Sequence, residues 1–315
     1  MPEKPDLSIV IPVYNEQGSI PELYWRLSSV LSSLSHSYEI LFIDDGSTDG
    51  ALQEIQKLSL SDPKVKAINF SRNFGHMIAL SAGLDFAEGS AVITMDGDLQ
   101  HPPELIPKLI EQWKGGAEVV NTVRKETKGT GVFKNVTAGL FYWLINRIAK
   151  INLTASAADY RLIDRKVVET LKQIRERSRF LRGLISWVGF KQAFIEYEAD
   201  SRFAGKTKYS AGRMFSFALD GITSFSAFPL RLSTYLGLIV ALLSFLYILY
   251  AVYVRVFTRQ AIEGWASVLV TVLFIGGVQL IFLGIIGEYL SRVYDETKQR
   301  PLYIVSRKIG DVGGR

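Results

Sequence analysis

Short apolar runs alternate with longer amphipathic segments over the first half of the chain. The runs are rich in β-branched or aromatic residues and are bounded by polar or turn residues, a pattern typical of buried strands. Segments with helical spacing separate them, so consecutive strands are joined by helices and pair in parallel. We therefore predict an α/β domain with a Rossmann-like, mostly parallel sheet. The predicted strands are Ser8–Val13, Glu39–Asp44, Val65–Phe70, Ala91–Met95 and Glu118–Val123, and the predicted helices are Ile20–Leu34, Ala51–Leu58 and Met77–Ala87.

Two uncharged runs dominate the chain after residue 230. Leu232–Val254 and Gly264–Gly287 are each about as long as a helix must be to cross a bilayer. A core helix of a soluble protein is rarely so long and so evenly apolar, so we predict a two-helix transmembrane anchor. The loop between the runs holds few basic residues and the segment after them holds many. The positive-inside rule therefore predicts that the α/β domain and both termini are cytoplasmic.

These patterns divide the chain into three parts. Residues 1–230 form the α/β domain, residues 231–290 the anchor and residues 291–315 a basic tail. Two further segments, Phe133–Ile148 and Met214–Leu230, combine aromatic residues with few charges. Such segments are typical of helices that lie flat in a headgroup layer, and equally of ordinary core helices.

Composition excludes some kinds of site. The 315 residues include no cysteine, which excludes disulfides and thiolate metal sites. The three histidines, His36, His76 and His101, fall in different segments, so we expect no zinc cluster, although the last two follow motif residues near the predicted cleft. The basic residues lack interleaved aromatic residues, which argues against nucleic-acid binding.

The formal charge of +5 is unevenly distributed along the chain. Acidic residues outnumber basic ones up to residue 160, and basic ones prevail between residues 161 and 213. A basic region beside a membrane anchor suits phosphate headgroups or anionic lipid. Four arginines of this region could equally solvate one face of a helix: Arg175, Arg177, Arg179 and Arg182.

An acidic loop follows the predicted strand Ala91–Met95. Its sequence, from Asp96 to Pro103, is Asp-Gly-Asp-Leu-Gln-His-Pro-Pro. Two carboxylates one residue apart at a strand end can face the same cleft, and Gly97 would let the backbone turn tightly. Such oxygen ligands suit Mg²⁺ or Mn²⁺, and Gln100 can add a neutral oxygen. Taken alone, the pair is also compatible with two solvated acids in a turn.

The other predicted strand ends carry residues that suit a nucleotide. Pro12–Glu16, Asp44–Asp49 and Ser71–Gly75 would all lie at one edge of a parallel sheet. They offer an aromatic wall at Tyr14, carboxylates for base and ribose at Asp44 or Asp45, and a cation for phosphates at Arg72. Alternatively, the Ser-Thr pair that follows Gly46 caps the next helix.

Together these motifs resemble glycosyltransferase family 2, the nucleotide-sugar-dependent enzymes of GT-A fold. The Asp96–Pro103 string is similar to that of polyprenyl-phosphate glycosyltransferases, the group of the dolichyl-phosphate mannose synthases and bactoprenol glucosyltransferases. The resemblance covers essentially the whole chain, because Ala158–Leu162, Arg202–Lys208 and the two apolar runs match the group as well. The chain lacks a Gln-x-x-Arg-Trp string, which argues against the processive polysaccharide synthases of the same family.

The resemblance implies roles for individual residues. The implied ligands of Mg²⁺ or Mn²⁺ are Asp96, Asp98 and Gln100. The implied nucleotide-sugar site contains Pro12, Val13, Tyr14, Asn15, Glu16, Asp44 or Asp45, Arg72, Asp96 and Gly97. The implied phosphate-binding residues are Arg124, Lys134, Arg202, Lys206 and Lys208. The implied catalytic residues are Asp98, Asp159 and Arg161.

The expected activity is transfer of one sugar, glucose from UDP-glucose as the first choice, to undecaprenyl phosphate or a related lipid at a bacterial inner membrane. A lipid phosphate is already largely ionised near neutral pH, so Asp159 would position groups rather than act as a base, with Arg161 orienting it or the phosphate. A single in-line displacement would invert the anomeric centre. The expected partners are the nucleotide sugar, the lipid and the membrane, and the sequence leaves a homo-oligomer open.

Two alternatives remain at this point. The acceptor could be a diacylglycerol or ceramide hydroxyl, which would require a true base. Replacing Asp159 with Asn would then nearly abolish turnover, and would do less harm with a phosphate acceptor. Alternatively, the chain could be a non-catalytic scaffold or lipid translocator with a relic GT-A domain, but a relic would be expected to lose Asp96 or Asp98.

Overall fold

The computed structural model describes residues 4–125, 157–177, 179–198, 226–253, 256–257 and 264–313. The chain divides into two compact units, one comprising Met1–Ala218 with Arg300–Arg315 and the other Leu219–Gln299. The predicted interfacial or core helix at Phe133–Ile148, and Met214–Leu230 up to residue 225, lie outside the described residues.

The described part of the first unit is built on a mixed eight-stranded sheet. Its strand order is β7-β5-β6-β4-β1-β2-β3-β8. The β1–β2, β1–β4, β2–β3 and β5–β7 pairs are parallel, whereas β3–β8, β4–β6 and β5–β6 are antiparallel. The strands are β1 (Leu7–Val13), β2 (Tyr38–Asp44), β3 (Val65–Phe70), β4 (Ala91–Thr94), β5 (Val119–Arg124), β6 (Ala157–Asp164), β7 (Gln192–Tyr197) and β8 (Val305–Ile309).

Helices cover the sheet and connect its parallel strands. They are α1 (Ile20–Ser32), α2 (Ala51–Ser61), α3 (His76–Phe86), α4 (Ile106–Lys114), α5 (Arg165–Gln173) and α6 (Leu181–Trp187), with a short 3₁₀ helix at Pro103–Leu105. α1 buries the stripe Ile20, Leu23, Leu27 and Leu31, as its apolar spacing predicts. Each predicted strand and helix of the first half is therefore confirmed to within a few residues.

β1 lies at the centre of the core and is closely approached by α3. All seven of its residues are buried. α3 crosses it at Gly83, where an added Cβ would stand only 2.0 Å from Val10 Cγ1. The absence of a side chain at Gly83 thus lets α3, whose first residue is His76, approach the sheet closely.

Two antiparallel insertions change the predicted sheet. β5 is not the neighbour of β4, because β6 lies between them and pairs with both. The segment after residue 299 is not a separate tail, because β8 pairs with the edge strand β3. Ser71 N–H also donates to Ile304 O at 3.0 Å, and Tyr303 stacks on Phe70 with ring centroids 5.1 Å apart. The last residues of the chain therefore complete the sheet of the first unit.

The second unit contains two long apolar helices, α7 (Phe228–Tyr253) and α8 (Trp265–Thr297). Phe228–Tyr250 and Val270–Thr297 are long and apolar enough to cross a membrane, with mean hydropathies of 2.2 and 2.3, and neither apolar window is buried. α8 extends ten residues beyond the predicted Gly287, and this extension is polar. Its surface pairs include Arg292 with Glu288 at 3.0 Å, a spacing that supports a helix in water.

Candidate active site

The carboxyl ends of four strands meet at one edge of the sheet. β1, β2 and β3 are mutually parallel and β4 is parallel to β1, so the loops after these strands leave the sheet on the same side. β6 runs antiparallel to β4 and pairs Arg161 with Thr94. The residues of β6 before Arg161 therefore extend past the end of β4, and Thr94 Oγ1 donates to Asp159 O at 2.6 Å. This topology places Asp159 beside the acidic loop after β4.

His101 holds the first acidic residue of that loop. The backbone N–H of Asp96 donates to His101 Nδ1 at 3.0 Å, so the ring proton lies on Nε2, which is 3.7 Å from Asp96 Oδ2. The imidazole is buried, stacks on Tyr160 with centroids 5.2 Å apart, and meets the edge of Tyr197 at 6.1 Å. His101 is thus a positioning residue for both the backbone and the carboxylate of Asp96.

Asp98 and Gln100 are joined by two hydrogen bonds. The Gln100 backbone N–H donates to Asp98 Oδ1 at 3.1 Å, and the Gln100 side-chain amide donates to Asp98 Oδ2 at 3.0 Å. Arg124, at the end of β5, donates to Gln100 Oε1 at 3.4 Å. The predicted phosphate-binding Arg124 therefore lies beside the predicted metal ligands. The other four such residues lie outside the described residues: Lys134, Arg202, Lys206 and Lys208.

The side chains of this loop fit a divalent cation. Asp96 Oδ1 is buried and accepts no hydrogen bond among the described residues, although buried carboxylate oxygens normally have a donor. Mg²⁺ and Mn²⁺ prefer carboxylate and amide oxygens, and sites that also take substrate phosphates use only one or two protein carboxylates. The described ranges contain no cluster of three His, Cys, Asp or Glu side chains suited to a metal.

The prediction that Gly97 lets this loop turn tightly is wrong. Gly97 lacks a positive φ, and the left-handed residue is Leu99, with φ of 65°. The Leu99 side chain is 3% exposed, so burial in the core offsets the strain of that backbone conformation. Gly97 instead lies close to β1, because an added Cβ would be 3.4 Å from Pro12 O.

Two aspartates at the carboxyl end of β2, Asp44 and Asp45, hold neighbouring loops. Asp44 is buried and accepts from Ser47 N–H at 3.1 Å and from Asn69 Nδ2 at 2.6 Å. Asp45 accepts from the backbone N–H groups of Phe74 and Gly75 at 2.6 and 2.9 Å. Burial raises the pKa of Asp45 above its usual value despite these two hydrogen bonds. Both carboxylates thus shape the loops at the cleft, and their contact with a nucleoside stays a prediction.

The loop after β1 is tied to the loop after β2. Asn15, which has φ of 57°, donates its backbone N–H to Ser47 Oγ at 3.0 Å and accepts from Thr48 N–H at 2.8 Å. Ser47 and Thr48 therefore join two loops, and neither makes the side-chain cap of α2. Tyr14, beside Asn15, is 39% exposed, as a residue that stacks on a ligand must be.

A row of rings leads from Arg72 to Tyr303, which lies two residues before β8. The Arg72 guanidinium lies 4.2 Å from the Phe74 ring centroid, Phe74 meets Phe70 edge-on at 5.6 Å, and Phe70 stacks on Tyr303. Tyr303 Oη donates to Asp85 Oδ2 at 2.8 Å. The exposed Arg72 is therefore supported by packing that extends to the segment just before β8.

Asp159 is buried among cationic side chains. Arg182, on α6, makes a bidentate pair with it, from Nε to Oδ1 at 2.8 Å and from Nη2 to Oδ2 at 2.7 Å. Arg161 Nη2 donates to Oδ1 at 3.0 Å and to Ala158 O at 2.9 Å. His76 Nε2 lies 3.5 Å from Asp159 Oδ2 and 3.5 Å from Asp96 Oδ1. His76 therefore links this group to the acidic loop.

These contacts determine the charge on Asp159. Burial alone would raise the pKa of Asp159, but the charge and hydrogen bonds of Arg182, with His76 and Arg161, hold that pKa well below its usual value. Burial lowers the pKa of Arg161 to about 10, so Arg161 remains a cation near neutral pH. A carboxylate held in this way has little affinity for a proton, which makes Asp159 a poor general base.

Arg182 is the site residue that sequence reasoning missed. Its neighbours in the sequence do not share a solvated helix face with it: Arg175 pairs with Asp85 at 2.7 Å, Arg177 donates to Arg300 O, and Arg179 is buried and donates to Ile174 O at 2.7 Å. The spacing of the four arginines carries no signal of these different partners. His76 and His101 were expected near the cleft, and the structure confirms that expectation.

Comparison with known proteins gives consistent matches over nearly the whole chain. Residues 8–172 match the family model Glycosyl transferase family 2, and residues 228–293 match the GtrB C-terminal hairpin. The chain is 48% identical to the uncharacterized glycosyltransferase YkcC of Bacillus subtilis (strain 168), over 96% of this chain and 94% of that protein. It is 44% identical to the bactoprenol glucosyl transferase of Shigella phage SfX, over 96% of this chain and 99% of that protein.

Solved structures show a more distant likeness. S. aureus TarS, residues 1–349, crystallised with UDP-GlcNAc, overlaps with a TM-score of 0.47 at 17% sequence identity, over 70% of this chain and 66% of that one. An overlap of this size adds nothing to the site described above.

We predict that Asp96→Asn weakens cation-dependent binding of UDP. The substitution removes one negative charge from a carboxylate whose buried Oδ1 accepts no hydrogen bond among the described residues. Isothermal titration of UDP with and without Mn²⁺ should show at least a ~10-fold loss of the cation-dependent affinity. His101→Ala should weaken it less, because His101 only positions Asp96. Unchanged cation dependence in Asp96→Asn would contradict the assigned ligand.

We also predict that Gly46→Ala disrupts the loops after β2 and β3. Gly46 has φ of +70°, and an added Cβ would lie 2.5 Å from Arg72 C and 2.7 Å from Asn73 N. The loop that carries Arg72 must therefore move, at a cost of about 1–3 kcal/mol in unfolding free energy and with weaker UDP binding. Gly18→Ala is the matched control, because Gly18 has no atom within 4 Å of an added Cβ. Equal thermal midpoints and UDP affinities in the two variants would refute this.

Proposed function

Because this chain belongs to glycosyl transferase family 2, we propose that it transfers one sugar from a nucleotide donor to a polyprenyl phosphate. Glucose from UDP-glucose and undecaprenyl phosphate are the first choices. The support is the match to the GtrB C-terminal hairpin and 44% identity, over nearly the whole chain, to proteins named bactoprenol glucosyl transferases. The two apolar helices agree with an acceptor that stays in a membrane.

One juxtaposition carries this proposal. The oxygen ligands of the acidic loop and the cationic group around Asp159 are neighbours, since His76 Nε2 lies 3.5 Å from both Asp96 and Asp159. The first group suits a diphosphate held through a cation, and the second suits a further anion. A reaction between a nucleoside diphosphate sugar and a phosphate needs both kinds of site side by side.

The donor would be bound at the strand ends. Tyr14 and the loops held by Asp44 and Asp45 would contact the nucleoside, and Arg72 would face the phosphates. Asp96, Asp98 and Gln100 would hold Mg²⁺ or Mn²⁺, which neutralises charge on the departing diphosphate when bound. His101 would keep Asp96 in place during this step.

The acceptor needs no general base. The second pKa of a phosphate monoester is about 6, so its oxygen is already a nucleophile near neutral pH. An acceptor that needs no base is compatible with the state of Asp159, whose carboxylate is ion-paired with Arg161 and Arg182. One displacement at the anomeric carbon breaks the bond to the diphosphate, which leaves with the electron pair, and an α-linked donor gives a β-linked product.

The alternative acceptors receive less support. A lipid hydroxyl requires a general base. Asp159 is the carboxylate expected to fill that role, and in the described residues it is ion-paired. The Asp159→Asn test does not separate the alternatives, because loss of this carboxylate also leaves the guanidinium groups of Arg161 and Arg182 without their shared partner. A relic GT-A domain is disfavoured by the intact set of Asp96, Asp98 and Gln100.

We predict that membranes carrying this protein transfer label from UDP-[¹⁴C]glucose to added undecaprenyl phosphate. The product should be extractable into organic solvent, labile to mild acid, and β-linked by NMR. UDP-galactose, UDP-GlcNAc and GDP-mannose run in parallel test the sugar, and diacylglycerol and ceramide test the acceptor. An acid-stable glycolipid made from diacylglycerol would overturn the phosphate acceptor, and a retained anomeric configuration would overturn the single displacement.

We predict that the loop between the two apolar helices lies on the opposite side of the membrane from the α/β domain. The chain contains no cysteine, so single cysteines can be introduced directly. In intact cells with a permeabilised outer membrane, an impermeant maleimide should label Gln260→Cys. The matched variant Ser61→Cys, on the exposed surface of α2, should react only after lysis. Labelling of both in intact cells would refute a cytoplasmic catalytic domain.

A further inference from the structure

The donor loop, residues 71–75, joins β3 to α3 and carries Arg72 on its exposed surface. Under the proposed function this arginine faces the phosphates of the donor. A long side chain on an exposed loop loses conformational freedom when it binds a ligand, so its affinity depends on how firmly the loop is held beforehand. The contacts that hold the donor loop therefore bear on donor binding.

The second half of the donor loop is held from β2. Asp45 accepts hydrogen bonds from the backbone N–H groups of Phe74 and Gly75 at 2.6 and 2.9 Å. The Arg72 guanidinium lies on the Phe74 ring, 4.2 Å from its centroid. The Phe74 ring in turn meets Phe70, the last residue of β3, edge-on at 5.6 Å. The position of Arg72 therefore depends on the Phe70 ring as well as on Asp45.

The first half of the donor loop is held by the C-terminal segment, residues 300–309. Ile304 O accepts the backbone N–H of Ser71 at 3.0 Å, directly after the end of β3. The Tyr303 ring stacks on Phe70 with an interplanar angle of 14° and centroids 5.1 Å apart. Phe70 thus contacts both the C-terminal segment and the donor loop.

Tyr303 is itself fixed to α3, the helix that follows the donor loop. Its Oη donates to Asp85 Oδ2 at 2.8 Å, and its ring lies 6.3 Å from that of Phe86. The Asp85 side chain is 6% exposed and also pairs with Arg175 at 2.7 Å, which holds the acceptor in place. Tyr303 therefore contacts the strand before the donor loop and the helix after it. Protection of a strand edge needs only backbone pairing, which β8 supplies, so these side-chain contacts do more than cover β3.

We propose that Tyr303 positions the donor loop, and with it Arg72, for binding of the nucleoside diphosphate. The inference rests on the proposed function and assigns Tyr303 a role that it exerts through Phe70 rather than by contact with substrate. Tyr303 follows Thr297, the last residue of α8, by six residues in the sequence. The donor loop is thus supported by a segment that is synthesised after both apolar helices. A chain that ended within the anchor would lack this support and would bind the donor weakly.

The test compares two variants of Tyr303 with a matched control. Tyr303→Ala removes the ring, and Tyr303→Phe keeps the ring and loses the hydroxyl. The control is Tyr24→Ala, because Tyr24, on α1, is also half-buried and also donates to a carboxylate, Asp62 Oδ2 at 3.0 Å, which follows α2 rather than β3. Each full-length variant is assayed for UDP affinity with Mn²⁺, KM for UDP-glucose, KM for undecaprenyl phosphate and thermal midpoint.

We expect Tyr303→Ala to weaken UDP binding and to raise the KM for UDP-glucose by about fivefold or more, since a loop that must be ordered on binding costs affinity. The KM for undecaprenyl phosphate should change by less than about twofold. Tyr303→Phe should stay within about twofold of the unaltered protein in UDP affinity, because it keeps the stack on Phe70. Tyr24→Ala should lower the thermal midpoint and leave the UDP affinity unchanged.

A double-substitution cycle tests whether the effect of Tyr303 passes through Arg72. Arg72→Gln alone should weaken UDP binding, because it removes the cation that faces the donor phosphates. In the Arg72→Gln background, Tyr303→Ala should then reduce the UDP affinity by less than about twofold further. A general loss of stability would instead give both effects in full. If Tyr303→Ala does not fold, Tyr303→Leu keeps an apolar side chain without the ring and carries the same comparison.

Three results would overturn the inference. Unchanged UDP affinity in Tyr303→Ala would show that the donor loop does not need this ring. Equal losses in Tyr303→Ala and Tyr303→Phe would show that the stack on Phe70 is not the contact that matters. Independent losses in the cycle with Arg72→Gln would show that Tyr303 stabilises the domain as a whole. Failure of the unaltered protein to bind UDP with Mn²⁺ is a separate outcome, because it refutes the proposed function before the variants are compared.

Discussion

The site depends on the neutralisation of one buried carboxylate. Asp159 is 6% exposed, and an isolated buried charge of this kind would cost several kcal/mol. Arg161 from its own strand and Arg182 from a following helix supply the compensation. Because removal of either partner leaves charge unbalanced, the orientation of β6 and the position of α6 are coupled through this residue. The cleft beside the acidic loop is therefore built by electrostatic pairing as much as by apolar packing.

The antiparallel direction of β6 places this ion-paired group beside the acidic loop. In a purely parallel sheet, the residues next to the end of β4 would begin a loop that leaves in the same direction as the acidic loop. β6 instead enters the sheet from the active-site edge, so Asp159 and Arg161 approach Asp96 on a rigid strand. Catalytic groups on strands are held more precisely than groups on loops. The insertion of β6 between β4 and β5 is thus the topological feature that brings Asp159 beside the acidic loop.

Sequence patterns predicted what depends on local order and missed what depends on distant partners. The strands and the first three helices followed from apolar spacing, and the acidic loop followed from two carboxylates at a strand end. β6 and β8 were not predicted as parts of the sheet. A strand that inserts antiparallel has the same local periodicity as any other short strand. Arg182 was not predicted as a site residue because its partner, Asp159, lies 23 residues away in the sequence. The neighbouring arginines have unrelated partners and give no indication of this pair. The positive φ falls on Leu99 rather than Gly97 because burial outweighs the backbone preference there.

The path of the chain constrains the membrane topology independently of the distribution of basic residues. The chain leaves the first unit, forms α7 and α8, and then returns to the first unit, where β8 pairs with β3. If both helices cross a bilayer, two crossings bring the chain back to the side from which it departed. A strand hydrogen-bonded into the sheet must lie on the same side as that sheet. Because β8 is paired with β3, two crossings of the membrane are compatible with the fold and a single crossing is not. The presence of two apolar helices agrees with this requirement.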